Sequence, residues 1–61
     1  MSYAAEIKRA ESLVKTLRKC AVGYREMNMR EHADRREDEA DWWVERIAMY
    51  RDIIVNRREA V

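Results

Sequence analysis

The chain of 61 residues has no proline, no phenylalanine, one glycine and one cysteine. Each scarcity excludes something. Without Pro and with a single Gly, a turn-rich β architecture has no punctuation, and the composition is that of helices. One Cys forms no internal disulfide, and a lone thiol suits a reducing compartment. No apolar run approaches the roughly 18–20 residues that cross a bilayer. Met1-Ser2-Tyr3-Ala4-Ala5-Glu6 carries neither the basic nor the apolar stretch of a secretion signal, so the cytoplasm is the expected compartment. No Gly-rich loop is present to cradle phosphate. A chain this short buries too little surface for a deep active site.

What is present is periodicity. Tyr3, Ile7, Ala10, Val14, Leu17, Ala21 and Tyr24 step alternately by four and three, which keeps one stripe on one face of a helix. Leu13, Cys20 and Met27 flank it, widening the stripe to that of a bundle helix, with Cys20 expected to be half-buried. Ser2 is placed to cap this helix, with Glu6 in its first turn. Ala33, Ala40, Trp43, Ile47, Tyr50, Ile54 and Val61 form a second stripe, with Arg36 and Arg57 at the skipped positions. Asn28-Met29-Arg30-Glu31 reads as a cap followed three residues later by Glu.

The two stripes do not share a register. The first continues to Asn28, whereas the second begins at Ala33, and that five-residue step rotates the seam by about 140° on an unbroken helix. A break resolves it, with Gly23 as a helix-ending residue or Asn28 as the hinge. The expected fold is therefore all-α: one domain, an antiparallel helical hairpin with a helix over about 3–24, a turn within 23–29 and a helix over about 29–60.

One hairpin leaves apolar surface uncovered. Trp42, Met49 and Ile53 lie about 180–220° around the second helix from Ala40, and Ala48 and Val55 extend the opposite edge. Pairing of two hairpins into a four-helix bundle is the expected solution. The expected interface is Trp42, Trp43, Met49, Tyr50 and Ile53, serving a homodimer or a heterologous protein partner, since Trp is enriched at binding hot spots. In architecture alone such a bundle resembles the plasmid RNA-binding repressors of primer; no residue motif is shared, and no residue role follows.

Charge is segregated. Residues 1–25 hold six basic and two acidic side chains, residues 26–45 three and eight, and residues 46–61 four and two. Lys8, Lys15 and Lys19, with Arg18 nearby, line one outer face, a candidate contact for nucleic-acid phosphate. Asp34, Asp38, Asp41, Glu45, Asp52 and Glu59 line a face opposite the second stripe. As solvated faces, these charges need no partner. The one imidazole, His32, has Glu31 beside it and Arg36 a turn away. With only Cys20 to join it from the other helix, it falls short of the three or four ligands a zinc site wants. Cys20 has no general base near it in sequence, and exposed carboxylates lack the desolvation that splits pKa values. The expectation is a non-enzymatic, oligomeric helical interaction protein that needs no cofactor or metal and engages no membrane. It would be of accessory, regulatory or inhibitor type, such as phages and plasmids encode, and would bind another protein. The alternative is an RNA- or DNA-binding regulator using the lysine stripe.

Overall fold

Two helices account for the computed structural model, which describes residues 2–59, with side chains described for residues 2–57. Helix α1 spans Tyr3–Glu26 and α2 spans Arg30–Glu59. Val61 of the second stripe lies outside the described residues, as does the Glu59 side chain of the acidic stripe. The helices pack against each other along their length as a hairpin. Its longest dimension is 52 Å. A continuous rod of the same chain would run to roughly 90 Å at 1.5 Å per residue.

Helix α1 starts as its sequence suggests. Ser2 is extended, and its Oγ accepts a hydrogen bond from the Ala5 N–H at 3.1 Å. The helix then runs through Gly23, whose carbonyl accepts from the Met27 N–H at 3.2 Å. The break comes at Asn28, which holds φ at 59°, the left-handed region. Its N–H donates to the Arg25 carbonyl at 3.0 Å, and the Met29 N–H donates to the Tyr24 carbonyl at 2.8 Å. That pair of bonds is a Schellman closure, usually built on glycine. The capping-box expectation is thereby corrected. Asn28 ends α1 rather than capping α2, and it is the Met29 carbonyl that takes the first α2 bond, from the Ala33 N–H at 3.1 Å. Asparagine suits this role, because its short side chain tolerates the left-handed region better than most.

The core is a seam between the helices. Ile7, Ala10, Val14, Leu17, Ala40 and Ile47 form one cluster, with Trp43, Tyr50 and Ile54 packed partly against it. The least exposed residues are small: Ala21 at 1%, and Ala33 and Ala40 at 0%. No large side chain is fully buried among the described residues. Tyr3 closes the open end against Tyr50, ring centroids 5.5 Å apart, while the Arg57 guanidinium lies 5.0 Å over the Tyr3 ring. At the turn the Tyr24 ring meets His32 edge-on at 5.2 Å. The flanking residues Leu13, Cys20 and Met27 of α1 are exposed, for Cys20 a departure from expectation, because a single neighbouring helix covers only the centre of the stripe. No helix is long and apolar enough to cross a membrane among the described residues.

Candidate functional site

A two-helix hairpin has two broad sides, and here they differ. Glu11, Val14, Lys15 and Arg18 of α1 line one depression with Val44, Ile47, Ala48 and Arg51 of α2, which defines the first side. Ion pairs join the helices on it. Arg51 donates to Glu11 at 3.1 Å, and Arg25 donates to Glu37 at 2.6 Å and to Asp34 at 3.4 Å. Every partner is exposed, so each pair contributes about 0–1 kcal/mol. Val22, Val44 and Val55 are exposed on this side, single valines among charges, which is ordinary surface.

The other side carries a different set. At 100° per residue, Leu13 and Cys20 of α1 and Trp42, Met49 and Ile53 of α2 all point away from the ion-paired side. Trp42 is 50% exposed, Met49 43% and Leu13 38%, and Ile53 is half-buried. Trp42 is held in place: its ring meets Trp43 edge-on at 4.9 Å, and the Arg46 guanidinium stacks 4.8 Å over its face. A large side chain already fixed by two neighbours loses little further freedom on binding. Among the described residues the ion pairs on this side stay within single helices, Arg9 with Glu6 at 3.5 Å and Arg36 with Glu39 at 2.8 Å. Arg36 has its pKa raised above the ordinary arginine value, first by the Tyr24 hydroxyl and then by Glu39.

The residues singled out from sequence therefore separate. Trp42, Met49 and Ile53 lie together on the open side, while Trp43 and Tyr50 pack against the hairpin's own core. Leu13 and Cys20 belong with the open set. Their seven-residue spacing signals it, but the choice of side becomes visible only once α2 is in place. Lys8, Lys15, Arg18 and Lys19 are all exposed on α1, and none makes an ion pair among the described residues. Asp38, Asp41, Glu45 and Asp52 are exposed along the outer edge of α2. Among the described residues no three His, Cys, Asp or Glu side chains converge to hold a metal ion. Cys20, expected half-buried, is exposed on the open side. Compared with protein-family models, with curated proteins and with solved structures, the chain matches none.

Proposed function

We propose that the chain is a non-enzymatic helical interaction protein that pairs with a second copy into a four-helix bundle, and that the bundle binds another protein in an accessory or regulatory role. The observation that carries this reading is the asymmetry of the hairpin. Both sets of interhelical ion pairs lie on one side, and the anchored Trp42 with Leu13, Cys20, Met49 and Ile53 lies on the other. Size supports it too. The exposed area is 5181 Å², against about 4,200 Å² for a typical folded monomer of this mass. The excess is of the order that each partner buries in a standard interface, about 800 Å².

The test is Met49→Glu with Ile53→Glu. Two carboxylates in a closed apolar interface cost several kcal/mol, and the remaining seam is too thin to stand alone. Light scattering should give a monomer, and circular dichroism should show it largely unfolded. A well-folded variant of unchanged mass overturns the reading.

A second reading has its own observation. Lys8, Lys15 and Lys19, without ion pairs among the described residues, present a row of positive charge that suits a phosphate backbone. Nucleic-acid binding that weakens steeply with salt, and is lost on Lys15→Glu with Lys19→Glu, would move the conclusion to an RNA- or DNA-binding regulator.

A further inference from the structure

The geometry points to how the second copy sits: we infer that each α1 lies on the partner's α2, with the twofold axis parallel to the helices. This rests on the dimer reading above and specifies it. Two hairpins meeting through their open sides have two symmetric choices. An axis across the helices lays α1 on α1 and α2 on α2. An axis along the helices lays α1 on α2 and preserves the height of every residue.

The ion pairs set those heights. Glu11 is level with Arg51 and Arg25 with Asp34 and Glu37, so one step up α1 is one step down α2. By the same count Leu13 is level with Met49, and Cys20 with Trp42. With the axis along the helices, Leu13 therefore faces the partner's Met49 and Cys20 faces the partner's Trp42, apolar against apolar at both heights.

Charge makes the same choice. Within two residues of that count, Lys8 is level with Asp52, Lys15 with Glu45 and Lys19 with Asp41, all exposed; they turn outward, and Lys15 also lines the depression on the ion-paired side. The parallel axis sets each lysine edge beside the partner's acidic edge at matching heights. The perpendicular axis sets lysines beside lysines and carboxylates beside carboxylates. These groups point outward, so they act as a field over several ångströms rather than through contact, and salt weakens the effect.

The test places one nitroxide on Ser12→Cys, an exposed outer-edge position of α1, in a Cys20→Ala background, and reads the distance between copies by pulsed dipolar spectroscopy. The parallel axis puts the two labels on opposite edges, roughly 30 Å apart given interaxial spacings of 8–10 Å and two outward side chains. A separation below about 20 Å puts α1 on α1; it overturns the arrangement and leaves the dimer standing. A monomer with no dipolar signal overturns both. As a second readout, Lys15→Glu with Lys19→Glu should weaken dimerisation several-fold at low salt. Adding Asp41→Lys and Glu45→Lys to the same chain should recover it. Weakening with no recovery contradicts the arrangement.

Discussion

At the scale of single residues, Asn28 determines whether the chain is a hairpin or a rod. Its φ of 59° turns the chain, and the hydrogen bonds beside it satisfy carbonyls at the end of α1. A β-branched residue there meets its own backbone, a penalty of about 1–2 kcal/mol, whereas glycine meets none. Asn28→Val should therefore lower stability by about that amount, while Asn28→Gly should leave it unchanged within about 0.5 kcal/mol. Denaturant titration compares the two; equal loss in both would mean that the asparagine side chain, not its backbone, holds the turn. This role was only half legible in the sequence. Asparagine serves as a helix cap and as a left-handed residue, and Met29-Arg30-Glu31 after it favours the first reading. The exposure of Cys20 was hidden for a related reason. Spacing places a residue at the margin of a stripe, but only the number of neighbouring helices decides whether the margin is covered.

At the scale of the helices, the heptad spacing carried most of the information. Ile7, Ala10, Val14, Leu17 and Ala21 of the first stripe, and Ala33, Ala40 and Ile47 of the second, are the residues the fold buries. A four-and-three spacing has one solution on a helix, so this much follows from arithmetic. The end of α1 did not follow, because Gly23 looks like a stop signal. It sits instead inside the last turn of α1, and a methyl group added to it would meet nothing within 4 Å. Gly23→Ala should accordingly stabilise the protein by about 0.5–1 kcal/mol, read as a higher unfolding midpoint with an unchanged circular dichroism spectrum. A loss of stability would mean that this position needs glycine. The interhelical ion pairs were not legible at all, since Arg25 and Arg51 each have several carboxylates within reach of a flexible side chain and the fold selects among them.

At the scale of the whole molecule, the seam is thin for the surface it has to support. The radius of gyration is 14.7 Å, against about 10 Å for a compact chain of this length. A 52 Å hairpin only 15 × 12 Å across has little interior, and half-exposed Trp42 and Met49 add apolar area that the chain does not cover by itself. The outward turn of Trp42 was readable from its spacing. That it shares a side with Leu13 and Cys20, away from the ion pairs, required the fold. In the proposed dimer folding and association are coupled, because a partner that binds only the folded chain stabilises it more as its concentration rises. The direct measurement is the thermal midpoint by circular dichroism over a hundredfold range of protein concentration, with mass from sedimentation equilibrium at each end. Coupled dimerisation gives a midpoint that rises steadily with concentration and a folded species of twice 7.4 kDa; a midpoint independent of concentration, with a folded species of 7.4 kDa, would rule it out.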